Sequence, residues 1–238
     1  MNNTKIYIPT LDEEFYTKPI NLDITNRCPL KCIACLRQDP EYKRKKYKEM
    51  TIDEIIKITK TFSYIEFCGQ QSDPLVHPNI LEFIFICQVG KLDIHTATSH
   101  KKKNFYKEAF DTSGEKTSWI FGLDGLPEES HIYRINQDGI HLYEMMKLGA
   151  KMGINIIWQY IVFNYNQDHI EQAKQMAKDD GIEFKICLSS RWDYPGPWRT
   201  KMGLIKPINK LKPREEYCVN PAPEAHIRES DSDGDKYV

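Results

Sequence analysis

Ile20-Asn21-Leu22-Asp23-Ile24-Thr25-Asn26-Arg27-Cys28-Pro29-Leu30-Lys31-Cys32-Ile33-Ala34-Cys35 runs from an apolar, β-forming stretch straight into a loop that carries three thiols. Its first six residues, 20–25, read as a strand. Five more short apolar runs follow, at 64–68, 91–96, 118–123, 154–163 and 183–188. Between them lie segments of helical period at 52–61, 79–88, 103–111, 139–152 and 168–180. Thr51 and Glu54 make a capping-box pair ahead of the first helix. Gly153 and Gly181 stand where helix C-caps belong. Strands alternating with helix-length segments imply parallel βαβ units.

Six such strands could build a doubly wound sheet or a partial barrel. The unusual polar residues choose between them. The cysteine loop follows the first strand, and residues 69–74 follow the second. Residues 96–99 close the third strand, Asp124 and Gly125 close the fourth, and Asn164 follows the fifth. The unusual polar residues therefore all lie just beyond strand C-termini, as at the C-terminal mouth of a (β/α) barrel. A doubly wound sheet would gather it near one switch point. The expected architecture is α/β, a partial (β/α)6 TIM-like barrel with a short irregular C-terminal extension. The expected division is a lead-in at 1–18, the barrel at 19–189, and a connector and tail at 190–238.

The 238 residues include 33 basic and 34 acidic side chains, so no global charge draws the chain to nucleic acid or to anionic membrane. No secretory signal opens it, and its longest apolar stretch, 80–87, is far below the ~20 residues a spanning helix needs. A cytoplasmic protein is expected. In that compartment the seven cysteines are not a disulfide framework, and a cluster of them reads as metal-binding or catalytic.

Cys28, Cys32 and Cys35 can point to one centre, as iron–sulfur ligation requires. Three protein thiolates on a cubane leave one iron open to a further ligand. A structural zinc site wants four ligands, and no fourth Cys or His lies close by, His77 being distant in sequence. Three unrelated thiols, a zinc site completed from afar, and a cluster all remain readings of the loop.

The run from Asp23 to Cys35 resembles the signature of the radical S-adenosylmethionine (radical SAM) superfamily. The resemblance implies a [4Fe-4S] cluster whose open iron holds S-adenosylmethionine, and reductive cleavage of that cofactor to a hydrogen-abstracting 5′-deoxyadenosyl radical. Ala34 stands where an aromatic is common in the family. Phe67-Cys68-Gly69-Gln70-Gln71-Ser72-Asp73-Pro74 resembles the second family motif, usually Gly-Gly-Glu-Pro and in some members Tyr-Gly-Asp-Pro. By that likeness Asp73, with the backbone of Gln71 and Ser72, receives the cofactor's ammonium. Thr96 matches the third-strand Thr-Asn-Gly motif, with His95 beside it. Gly122-Leu123-Asp124-Gly125 resembles the fourth-strand Ser-Leu-Asp-Gly, with Gly122 in place of the Ser. Asp124 then lines the pocket, and Arg134 matches a downstream Arg that takes the cofactor's carboxylate. Gln159 and Asn164 could reach ribose or substrate.

Lys43-Arg44-Lys45-Lys46-Tyr47-Lys48 and Lys101, Lys102 and Lys103 form basic patches on one rim. They suit a solvated surface, an anionic substrate, or an electron donor such as a flavodoxin or ferredoxin. Asp231 to Asp235 lacks the glycine position and the closing Glu of a calcium loop. From Cys218 onward the sequence resembles the opening of a SPASM-type extension, cut short before further cysteines, and relatives with such tails act on peptides. The expected function is thus a radical SAM enzyme, an oxidoreductase or transferase by class, abstracting hydrogen from a peptide or protein. The alternatives are a non-enzymatic iron–sulfur or zinc-binding sensor and a degenerate family member without turnover.

Overall fold

The structure, a computed structural model, describes residues 18–33, 35, 37, 48–68, 72–188 and 211–214. Six strands form one sheet in the order β1 (Ile20–Leu22), β2 (Tyr64–Phe67), β3 (Lys91–Thr96), β4 (Thr117–Gly122), β5 (Asn155–Ile161), β6 (Glu183–Cys187). Every neighbouring pair is parallel. Helices α1 (Ile52–Thr59), α2 (Ile80–Cys87), α3 (Lys103–Thr112), α4 (Gly139–Lys151) and α5 (Ile170–Asp179) make the crossovers. Sequence order equals spatial order, so the sheet winds one way like a barrel, with β1 and β6 as its two edges among the described residues. The expected partial (β/α)6 barrel is what forms.

Strand alternation sorts the side chains. Leu92 and Ile94, Trp119 and Phe121, and Ile156, Trp158 and Tyr160 are buried beneath the helices. Alternate positions such as Asp93, His95, Gln159 and Ile161 are only half-buried, as an unclosed barrel leaves its concave face. A fully buried apolar side chain of this size contributes about 1.5–3 kcal/mol.

The polar ends of the core aromatics pin the loops that carry the site. Tyr106 donates to the Thr98 carbonyl at 3.0 Å, Trp158 to that of Leu123 at 2.7 Å, and Tyr160 to that of Asn166 at 2.7 Å. The capping box forms as expected: the Thr51 N–H donates to a Glu54 carboxylate oxygen at 2.7 Å, and the Glu54 N–H donates to the Thr51 hydroxyl at 3.3 Å. The Thr51 N–H and the Thr51 hydroxyl, which donates to the same carboxylate oxygen at 2.7 Å, hold the Glu54 carboxyl down to about 2. Gly153 and Gly181 follow α4 and α5 with φ of 79° and 69°.

β1, β5 and α5 are the elements that fall furthest short of their expected stretches. β1 ends at Leu22, beyond which the Ile24 carbonyl turns aside to accept from the Met50 N–H at 3.1 Å. α5 begins at Ile170, after a 3-10 turn over Gln167–His169. No helix among the described residues is long and apolar enough to cross a membrane. The lead-in to residue 17, the basic run 43–47 and the tail from 215, with Cys218 and the calcium-like stretch, lie outside the described residues.

Candidate functional site

The cysteine loop leaves β1 and is gripped from three directions. At its start the Arg27 carbonyl accepts from the Asp73 N–H at 2.9 Å, joining it to the loop after β2. At its middle the Lys31 N–H donates to the Ile135 carbonyl at 3.0 Å and the Ile33 N–H to the Tyr133 carbonyl at 3.2 Å, joining it to the segment after β4. The Asn136 amide adds a bond to the Pro29 carbonyl at 3.2 Å. Arg37 reaches back to the carbonyls of Cys28 and Leu30 at 2.8 and 2.7 Å. The Cys35 N–H closes a turn on the Cys32 carbonyl at 3.1 Å.

Cys28, Cys32 and Cys35 are all half-buried and unbridged. Burial pushes the Cys28 thiol up to about 12, with Asp73 and Cys32 adding to the rise and the Leu30 backbone and Arg37 opposing it. Among the described residues, no three Cys, His, Asp or Glu side chains converge on one ion position. A cubane takes each thiolate on a different iron and does not require that convergence. Three half-buried thiols on a braced loop therefore fit a cluster better than a mononuclear ion. His77 does not complete a zinc set. Its Nδ1 accepts from the Asn79 N–H at 3.1 Å, and its Nε2 faces the Met50 carbonyl at 3.0 Å.

On the β2–β3 side, Asp73 is buried and its carboxylate is fully engaged. One oxygen accepts from the Leu75 N–H at 3.0 Å, the other from the N–H groups of Ala97 and Thr98 at 2.9 and 3.2 Å. The Thr96 hydroxyl lies 3.0 Å from both. Asp73 and Thr96 thus come together, but as a clamp between two loops. Ser72 donates to Asp23 at 2.9 Å, across to the end of the first strand. Gln71 lies outside the described residues.

On the β4 side, Asp124 is wholly buried and pairs with the Arg134 Nε at 2.7 Å. Its second oxygen accepts from the Ile161 N–H at 2.9 Å. Burial works most strongly against the Arg134 charge, but Asp124, Cys32 and Tyr133 together outweigh it, so the guanidinium is held above its usual range. A β-carbon at Gly122 would lie 2.7 Å from the Arg134 Nη2. The space that a side chain at this position would need is filled by the arginine.

Several participants escaped the sequence. Gln137 donates to the Ala97 and Gly122 carbonyls at 2.5 and 2.9 Å, tying β3 to β4. Leu211 joins Tyr133 and Phe163 in a small buried cluster that Cys32 and Ile33 pack against, and its carbonyl accepts from the Asn164 N–H at 3.1 Å. Arg37, Gln137 and Leu211 belong to no motif, so no signal marked them. His95 and Gln159 sit on the concave face, half-buried. Lys101 stands on the same mouth, its ammonium 4.5 Å above the Phe105 ring.

No family model matches the chain. It is 26% identical over 187 residues to a GTP 3',8-cyclase of Alkaliphilus oremlandii, covering 73% of this chain and 58% of that protein. Streptococcus suis SuiB bound to S-adenosylmethionine superposes with a TM-score of 0.63 at 13% identity, over 80% of this chain and 43% of SuiB. SuiB bound to its precursor peptide SuiA gives 0.63 at 13% identity, over 81% and 42%. The fold is that of the radical SAM enzymes. Methylornithine synthase PylB shares the radical SAM fold at a TM-score of 0.54 and 14% identity, over 74% of this chain and 53% of PylB. The curated relative and these neighbours together support the radical SAM superfamily. The chain spans 58% of the cyclase and about half or less of each solved neighbour.

Proposed function

We propose that this chain is a radical SAM enzyme, with a [4Fe-4S] cluster on Cys28, Cys32 and Cys35 and S-adenosylmethionine on its open iron. One observation carries the reading: three half-buried thiols sit on a loop braced between the β2 and β4 ends, at the C-terminal mouth of a six-stranded partial barrel. When bound, the cluster and cofactor supply reductive C–S cleavage and abstraction of a substrate hydrogen.

The residues of the chain do the rest. Because the Asp73 oxygens are taken by Leu75, Thr96, Ala97 and Thr98, the ammonium contact falls to the backbone of Gln71 and Ser72, and Asp73 and Thr96 hold that loop in place. Arg134 pairs through Nε, which leaves its terminal nitrogens for the carboxylate, and Asp124 lies beneath it. The half-buried Asp93, His95 and Gln159 line the concave face a substrate would meet. SuiB binds a precursor peptide, and a peptide or protein is the substrate class we assign here. A flavodoxin or ferredoxin would deliver the electron to the basic rim.

The test is anaerobic reconstitution, reduction and addition of S-adenosylmethionine. Release of 5′-deoxyadenosine, lost in Cys32→Ala, supports the enzyme. A chain that purifies with zinc and releases none is a binding module. One that binds the cluster and perturbs it with cofactor, yet releases none, is a degenerate member.

A further inference from the structure

We propose that Asp124 is a positioning residue for the cysteine loop, acting through Arg134 and the 133–136 backbone, with Gly122 as the space this arrangement requires. The inference rests on the reading that Cys28, Cys32 and Cys35 hold a cluster.

Asp124 has no exposed surface, and its polar atoms are shared out in three directions. Its Oδ2 accepts from the Arg134 Nε at 2.7 Å and its Oδ1 from the Ile161 N–H at 2.9 Å. Its carbonyl accepts from the Tyr165 hydroxyl at 2.6 Å. The carboxylate is therefore fixed to β5 and cannot follow Arg134 if the arginine moves. The pair is nearly dry, the Arg134 side chain being 14% exposed. Removing one partner of such a pair leaves a buried charge without compensation, so the arginine is driven to a new position.

Arg134 sits in the middle of the segment that braces the loop. The carbonyls on either side of it, Tyr133 and Ile135, accept from Ile33 and Lys31, and Asn136 reaches Pro29. These three contacts fall at loop residues 29, 31 and 33, so they bracket Cys32 and adjoin Cys28. Asn136 is the described non-glycine residue with positive φ, 75°, so the segment turns sharply just after the brace. A displacement of residue 134 moves all three contacts together.

Gly122 leaves the room that the Arg134 guanidinium occupies. A β-carbon there would stand 2.7 Å from Nη2 and 2.9 Å from Cζ of Arg134. A free arginine would swing aside at little cost. This one can do so only by leaving Asp124. The guanidinium charge is also felt at Cys32, so the pair bears on the cluster electrostatically as well as mechanically.

The experiment uses the full chain as wild type, Asp124→Asn, Gly122→Ala and Tyr143→Phe. Tyr143 bonds Asp180 at 2.7 Å, away from the mouth, and controls for lost stability alone. In Asp124→Asn the amide group must face either the Ile161 or the Arg134 N–H, donor against donor. Each protein is reconstituted anaerobically with iron and sulfide and challenged with a chelator. Apoprotein melting temperature and cluster midpoint potential are measured in parallel. Asp124→Asn and Gly122→Ala should hold iron about 10- to 100-fold less tightly, the range expected for a residue that orients a metal ligand from behind. Asp124→Asn should also raise the midpoint potential, because the Arg134 charge loses its counter-ion beside the cluster. Tyr143→Phe should melt earlier and keep wild-type retention. Should Asp124→Asn not fold, Gly122→Ala decides. Wild-type retention in both variants, or in the one that folds, overturns the inference alone. A wild-type chain that takes up no cluster overturns the functional reading and this inference with it.

Discussion

The Thr96 hydroxyl stands 3.0 Å from each carboxylate oxygen of Asp73, joining the loop after β2 to the end of β3. With the N–H groups of Leu75, Ala97 and Thr98 on the same carboxylate, the acid of the second motif is a structural keystone. Its own N–H meanwhile holds the Arg27 carbonyl, one residue before the first cysteine.

Asp73→Ala leaves three backbone donors and a hydroxyl without their acceptor. At roughly 1–3 kcal/mol for each unmet buried group, a loss of at least about 3 kcal/mol is expected in urea unfolding. Thr96→Val should lose about 1 kcal/mol. An Asp73→Ala protein with wild-type stability but no cofactor binding would show that the carboxylate serves the ligand instead.

Cys28→Ala, Cys32→Ala and Cys35→Ala should each abolish uptake of the about four irons of a cubane. Cys87→Ala should leave iron content unchanged, since Cys87 is buried in the helical layer and its thiol is held protonated by burial. Iron and sulfide analysis after anaerobic reconstitution checks both. Before reconstitution, Cys28 should alkylate slowly at pH 8, because its thiol is pushed up to about 12.

His77 should make stability depend on pH. Burial lowers its pKa from 6.5, partly offset by Glu49 at 3.3 Å and the Met50 carbonyl, with Arg27 adding to the fall and Glu82 opposing it. The folded state favours the neutral ring, so the stabilisation is present above about pH 6.5 and is lost as pH falls through the depressed folded value. The urea midpoint of the wild type should decline on acidifying below that point, and His77→Gln should decline less. Parallel curves for the two proteins would rule this out.

Leu211→Ala should cost about 2–3 kcal/mol by leaving a cavity against Tyr133 and Phe163. It should also speed alkylation of Cys32, which packs in the same cluster. Unchanged labelling would mean that residue 211 does not shield the thiol.

The alternation of apolar runs and helical segments, the capping box at Thr51 and the glycines after α4 and α5 were all legible because each is a local preference. Backbone propensity, period and capping act within a few residues. The triad was legible for the same reason: three thiols within eight residues cannot be far apart in space. The pairing of Asp73 with Thr96 joins residues 23 apart, and that of Gln137 with Ala97 residues 40 apart. Neither leaves a trace in any single segment.

By itself the sequence settled six parallel strands joined by five helical crossovers, and three thiols after the first strand, since chain connectivity and local periodicity allow little else. It could not settle how the acidic and basic residues at the strand ends would be spent. That depended on which donors and acceptors packing left without water. Asp73 and Asp124 are carboxylates of the same mouth, but one is consumed by a hydroxyl and three amides and the other by a guanidinium and an amide. Only the register of neighbouring strands, which sets what each buried oxygen can reach, made that choice.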